Sequence, residues 1–233
     1  MESMEPRSSV RSTYHHGNLK TALIQATLGL IEEKGPDHVT VAEAAKRAGV
    51  SSGAPFRHFT SKLDLMTAVA EVLQAELLER LEKAHGEGLN DPWETLCQFG
   101  LTYMNWGLEQ PSHFRTYSNR NLYAFESSPA LLDGDQRLGG LVESTFLFVL
   151  PDTPERAERA RRLNIHSRAL LTGLVTLSCY GHFPRFGVNG EDPKITMKKS
   201  WLGFLRSVRL NLEGIPAEAR DTNRFWSPPL STE

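Results

Sequence analysis

The 233-residue chain lacks most of what announces an enzyme, a membrane protein or a secreted scaffold. Cysteine occurs twice, as Cys97 and Cys179, too few and too far apart for a disulfide framework or a metal-spaced pair, and a reducing cytoplasm is the expected setting. Cys179 and His182 form a Cys-x-x-His with no second pair, so zinc is not expected. His15 and His16 are adjacent and would point about 100° apart on a helix, which prevents chelation of one ion. No apolar run approaches the roughly 18 residues that a membrane helix needs, and Met1-Glu2-Ser3-Met4-Glu5 does not read as a signal peptide. Membrane partners and cofactors are therefore not expected. There is no Gly-x-Ser-x-Gly elbow, phosphate loop or dinucleotide fingerprint, and nothing supports catalysis. No strand-like alternation of any length occurs, so the expected fold is all-α.

A basic surplus is missing too. Net charge is −2. Residues 1–65 hold eight Lys/Arg against seven Asp/Glu, and the remainder carries −3. That balance excludes a protein that coats nucleic acid, but not one that sets a few side chains against phosphates.

What is present concentrates at residues 40–62. Thr40 and Glu43 have capping-box spacing, in which each side chain answers the other residue's free backbone N–H. Ala42, Ala44, Ala45 and Ala48 form helix with little bulk, so another helix can cross nearby. Gly49 can stop that helix in the left-handed conformation, Val50 can plug the core, and Ser51 can cap a second, short helix. This is a helix-turn-helix pattern, whose second helix enters the major groove. Upstream, a helical stripe of Leu19, Ala22, Leu23, Ala26, Leu30 and Ile31 ends at Gly35-Pro36. Downstream, Phe56-Arg57-His58-Phe59-Thr60-Ser61-Lys62 leads into another helix, with Ser61 and Asp64 as its capping pair.

That ordered set, over residues 14–75, resembles the DNA-binding domain of the tetracycline-repressor (TetR) family of bacterial regulators. The resemblance implies a homodimer on palindromic double-stranded DNA, and a repressor released by a small-molecule effector. The DNA-binding candidates are Thr40, Ser51, Ser52, Gly53, Ala54, Phe56, Arg57, His58 and Lys62. Arg57 can pair with guanine or bind phosphate. Thr40 can cap, or cap and bind phosphate; His58 can touch phosphate or stay solvated. Small Ser52 and Ala54 let the segment sit deep, and Gly53 lets the backbone approach. Lys62 stands in a first helical turn, whose free N–H groups also favour an anion. Phe56 stands where the family usually has tyrosine and cannot make a hydroxyl–phosphate bond. Phe59 is expected in the core.

The rest of the chain reads as a polar arm at 1–13, a DNA-binding unit at 14–62, a helical effector and dimerisation domain at 63–213, and a polar tail at 214–233. Helices are expected over 61–84, from Asp91-Pro92 to Pro111, over 129–150 with an interruption allowed for at Asp133-Gly134-Asp135, from Thr153-Pro154 through Cys179, and over 193–212. The last carries Ile195, Leu202, Leu205, Val208 and Leu212 on one stripe, which can seal a dimer seam or pack within the chain. The segment from Arg168 to Leu177 resembles a ligand-domain motif of a TetR subgroup. That motif has tryptophan near its start and histidine before its glycine; Arg168 and Thr172 hold those places here, so only Gly173 and the leucines match.

Residues 93–148 are rich in aromatics, which serve either as core or as an effector pocket. The expected pocket draws on Trp93, Phe99, Tyr103, Trp106, Phe125, Phe146, His166 and Leu170, for an apolar or aromatic effector. Tyr103, Asn105, Arg115 or His166 is expected to supply its polar anchors. The alternative is a helical small-molecule-binding or enzymatic domain whose helix-turn-helix makes protein contacts.

Overall fold

A computed structural model describes residues 16–87 and 91–213. Among them are eight α-helices and no strand. They are α1 (His16–Lys34), α2 (Val41–Arg47), α3 (Lys62–Glu87), α4 (Pro92–Glu109), α5 (Pro111–Ser118), α6 (Pro129–Val149), α7 (Arg156–Cys179) and α8 (Pro193–Glu213). The expected arm and tail, His15 and Gly88 lie outside the described residues.

Helix ends follow local chemistry. Proline opens α4, α5, α6 and α8, where its missing N–H costs nothing and its fixed φ suits the first turn. Asp91 caps α4 by accepting from the N–H groups of Trp93 and Glu94. Ser128 caps α6 by accepting from Leu131 N at 3.2 Å, while its own hydroxyl donates to Glu71 on α3. Helix α7 begins at Arg156, after Glu155 and without a side-chain cap, rather than at the expected Thr153-Pro154, where a turn forms in which Arg156 N donates to Thr153 O.

Helix α6 runs unbroken through Asp133-Gly134-Asp135, contrary to the interruption allowed for there. The glycine serves close packing instead, because a Cβ at 134 would strike the Gln74 carboxamide of α3. Helix α4 uses glycine similarly on two sides: Gly100 receives the Trp201 indole of α8, and Gly107 receives Val175 of α7. Trp201 is 1% exposed and its Nε1 donates to Cys97 O at 3.2 Å.

Helix α1 packs on α2 and α3 in one region; in the other, α4 and α6 pack on α3, α7 on α4 and α6, and α8 on α4 and α7. The α5 helix joins the two regions through α1. There His113, buried, has Nε2 3.2 Å from Glu32 Oε1 and Nδ1 2.5 Å from Gln110 Oε1.

The stripe expected along α8 divides. Leu205 and Val208 are buried with Met197 and Trp201, whereas Ile195, Leu202 and Leu210 are exposed. The chain's own core therefore claims Leu205, and the remaining apolar surface of α8 lies elsewhere on the helix.

Candidate nucleic-acid interface and internal cavity

The capping box forms as the spacing predicts. Thr40 Oγ1 accepts from Glu43 N at 3.3 Å, and Glu43 Oε2 accepts from Thr40 N at 3.1 Å. Lys34, at the end of α1, donates to Glu43 at 2.5 Å and ties the two helices together. The Lys34 bond, then the Thr40 bond, hold the Glu43 carboxyl at about 2, well below its ordinary value. Ala44 and Ala45 are fully buried, which lets α1 cross close to α2. Gly49 sits at φ 73° and ends α2, a conformation in which an L side chain is strained.

After it the structure departs from the expected second α-helix. Residues 51–54 make a turn, with Ala54 N donating to Ser51 O at 3.0 Å, and Pro55–Arg57 form a single 3-10 turn without a side-chain cap. Ser51 therefore does not cap an α-helix. Pro55 cannot donate a backbone N–H and Gly53 adds backbone entropy, so a regular helix is not sustained, although Ala54 itself keeps helical angles (φ −64°, ψ −37°).

The turn projects outward. Ser51, Ser52, Gly53, Arg57 and His58 are exposed and Ala54 half-buried. Pro55 and Phe59 face inward, Phe59 at 3% exposure, in the core where it was expected. Phe56 is 58% exposed, an unusual placement for a large apolar ring. At Gly53 φ is not positive, and a Cβ there would meet nothing within 4 Å. The fold itself thus makes no demand for glycine at 53.

Lys62 opens α3 beside this turn, exposed, and donates to Asp37 O at 3.2 Å. Ser61 Oγ accepts from Asp64 N, while the Asp64 carboxylate turns back to Thr60 N and Oγ1 rather than to Ser61. Thr40, the polar residues of the 51–58 turn and Lys62 are exposed around α2 and the start of α3, together with Lys46, Arg47 and Thr60.

The second site lies within the larger helical region. A partly open cavity of about 70 Å³ is lined by α3, α4, α5, α6 and α7. Leu77, Leu81, Phe99, Leu138, Val142 and Leu171 form its apolar wall. Of the expected pocket residues, Phe99 and Tyr103 line it. Trp106 and Phe146 are fully buried in packing; Trp93, Phe125 and Leu170 are half-buried away from it, and His166 is exposed. Asn105 is exposed, and Arg115 lines a separate cleft between α1 and α5. Tyr103 OH is 2.9 Å from Thr172 Oγ1; burial, more than this bond, sets the direction of its shifted pKa, which is upward.

Polar residues that periodicity did not single out complete the cavity: Tyr117, Asn164, Ser167 and Arg168. Arg168 is the one with a sequence signal, a cation inside the otherwise apolar second half of α7. It donates to Asp135 Oδ1 at 2.5 Å, and Arg120 donates to the same oxygen at 3.2 Å. Burial alone would raise the Asp135 carboxyl, but the two guanidinium groups outweigh it and hold it below the ordinary range. The Arg120 guanidinium carbon rests 3.4 Å from the Phe125 ring centre, so Phe125 positions a cation near the cavity's edge.

Comparison with known proteins agrees with this geometry. The family model for bacterial regulatory proteins of the tetR family matches residues 23–69, which run from α1 through the turn into α3. The chain is 31% identical over 159 residues to the nucleoid occlusion factor SlmA of Vibrio campbellii, covering 67% of this chain and 71% of that protein. It is 33% identical over 75 residues to the uncharacterized HTH-type transcriptional regulator YvdT of Bacillus subtilis, a stretch that is 32% of this chain and only 38% of the relative's length. A possible TetR family transcriptional regulator from Streptomyces coelicolor A3(2) superposes with a TM-score of 0.61 at 19% identity, covering 82% of this chain and 99% of that one.

Proposed function

The chain belongs to the TetR family of bacterial regulatory proteins, a family of DNA-binding transcriptional regulators, and on that premise we propose that it is a cytoplasmic repressor. It binds palindromic double-stranded DNA as a homodimer and is released by a small, largely apolar effector. The DNA-binding unit is residues 14–62, and residues 63–213 form the effector and dimerisation domain. No helix among the described residues is long and apolar enough to cross a membrane.

The observation that carries the reading is the outward turn at 51–58. It presents Arg57 and His58 beside Lys62, with a glycine at 53 whose bareness the chain's own packing does not need. A duplex pressed against that backbone would need it. Arg57 reads a base edge or a phosphate, Ser51, Ser52, Thr40 and His58 supply further polar contacts, and Lys62 holds phosphate. Ala54 and Phe56 offer apolar contact of the kind that a thymine methyl accepts.

The dimer reading rests on α7 and α8. Gly173 and Gly203 lie on exposed positions inside these helices, and a Cβ at either would meet nothing. Each costs about 1 kcal/mol against alanine, a cost that close packing of a second copy would offset. Exposed Leu202, Leu210 and Tyr180 supply apolar area for the same seam. The effector acts by population shift: it favours a conformer whose two 51–58 turns no longer match successive major grooves, and affinity falls by the difference in binding energy.

An electrophoretic mobility shift with the DNA flanking the chain's own gene tests this. A discrete complex should survive an excess of random duplex. Equal loss to random and specific competitors would overturn the reading.

A further inference from the structure

The internal cavity does not stand alone. A surface groove of about 420 Å³ lies next to it, and Tyr103, Tyr117 and Arg168 line both. Arg120 lines the groove as well. The groove and the cavity thus adjoin at two phenols and the Arg168 guanidinium, with Arg120 on the groove side and leucine, valine and phenylalanine on the cavity side.

Three polar groups at the junction have bonding capacity left over. Two arginines share a single carboxylate oxygen, Asp135 Oδ1, so the cluster holds one more positive charge than negative. Tyr117 OH accepts from Gln74 Nε2 at 3.3 Å, which leaves its own O–H to donate; the residue is 6% exposed. Ser167, adjacent to Arg168 and 3% exposed, has a buried Oγ with no hydrogen-bond partner. A buried hydroxyl without a partner is costly, and proteins rarely leave one so. A carboxylate offers up to four acceptor positions and one negative charge, which matches the surplus at this junction in number and sign.

Size selects the other end of the molecule. An apolar cavity of about 150 Å³ accommodates benzene, and this one is about 70 Å³. Its interior suits the end of a slim methylene chain better than a ring.

We infer that the cavity and groove together bind an unbranched aliphatic monocarboxylate, with its carboxylate on Arg168, Tyr117 and Ser167 and its chain end among the leucines. Asp135 then acts as an internal competitor for Arg168 that the ligand displaces, while Arg120 keeps Asp135 neutralised. This deepens the effector reading above and rests on it for its regulatory meaning.

The test is isothermal titration calorimetry on the full chain without DNA, using the straight-chain acids from butanoate to decanoate, hexan-1-ol and benzoate. At least one acid should bind, and hexanoate should bind about tenfold or more tighter than hexan-1-ol, the margin of a charge-assisted bond. Benzoate should bind more weakly than hexanoate. Arg168→Met should abolish the acid-over-alcohol preference, and Asp135→Asn should tighten the acid by removing its competitor. A structural role for the pair would instead make both variants bind less. Absence of binding by every acid to protein that is helical by circular dichroism overturns the inference, as does equal affinity for acid and alcohol or weakening by Asp135→Asn. Because no DNA is present, these results stand apart from the mobility shift: operator binding with no acid binding refutes the ligand class alone, and acid binding without operator binding refutes the regulator alone.

Discussion

Gln74 on α3 lays its carboxamide directly against Gly134 on α6, and no side chain fits between them. The amide is 2% exposed and donates to Leu131 O at 3.0 Å and to Tyr117 OH at 3.3 Å. This contact brings α3 and α6 close together and orients a phenol that lines the cavity. Gly134→Ala should lower stability by about 1–3 kcal/mol, the usual cost of overpacking, although alanine is the better helix former by about 1 kcal/mol. Chemical denaturation checks this. A variant more stable than wild type would show that the amide moves aside without loss.

At the DNA-facing turn, Arg57→Ala should weaken operator binding by about 1–3 kcal/mol and relax preference at one or two base pairs, as removal of a bidentate base pairing does. Fluorescence anisotropy against single-base operator variants measures it. Uniform weakening across the variants would assign Arg57 to phosphate, and no weakening would remove it from the interface.

Lys62→Ala should lower affinity for specific and random DNA alike and flatten the slope of log K against log salt by about 0.9, the share of one phosphate that is no longer neutralised. Its fold should be intact, since the exposed ammonium makes one bond, to Asp37 O. An unchanged slope would leave that bond as its whole role.

The divided stripe on α8 makes two neighbouring leucines behave differently. Leu202→Asp should yield a folded monomer, because Leu202 is 38% exposed in the single chain. Leu205→Asp, at a position 6% exposed, should instead cost several kcal/mol of the chain's own stability by burying a carboxylate. Sedimentation and thermal denaturation separate these outcomes. Wild-type protein sedimenting as a monomer at micromolar concentration would refute the seam.

The Glu43 carboxyl gives the DNA-binding unit an acid limit. Its pKa falls from 4.5 to about 2 on folding, chiefly through Lys34 and then Thr40. The unfolded chain therefore binds the proton more readily than the fold between these values. The stability due to ionised Glu43 is complete above the unfolded pKa and is lost as pH drops toward about 2. Glu43→Gln should flatten this acid limb in pH-dependent denaturation; an unaltered limb would show that the pair contributes nothing there.

Much of this is legible in the residues. Helix borders are marked by prolines and by Thr40, Asp91 and Gly49, whose roles are local and depend on few neighbours. Spacing alone places Phe59 inside. At 51–58 spacing suggests an α-helix and the structure has none, because Gly53 and Pro55 act against it. The kink allowed for at Gly134 is absent for a different reason: the cause of that glycine is Gln74, 60 positions away in the chain, and no local pattern encodes such a contact. The same holds for the cavity. Aromatic spacing locates Phe99 and Tyr103, but the polar groups come from α5, α6 and α7 and meet only in the folded chain. The α8 stripe divides because helical periodicity fixes a face without saying what covers it.

Sequence-specific recognition through the exposed turns of a symmetric pair is the claim on which the rest depends. Selection of tight binders from a pool of random-sequence duplexes by the wild-type chain measures this directly, without knowledge of the natural operator. The expected result is enrichment of a palindrome whose half-sites lie about one helical turn, or a multiple of it, apart, with the enrichment altered or abolished for Arg57→Ala. A pool that retains its random composition after repeated rounds, or an enriched motif unaffected by Arg57→Ala, would contradict it.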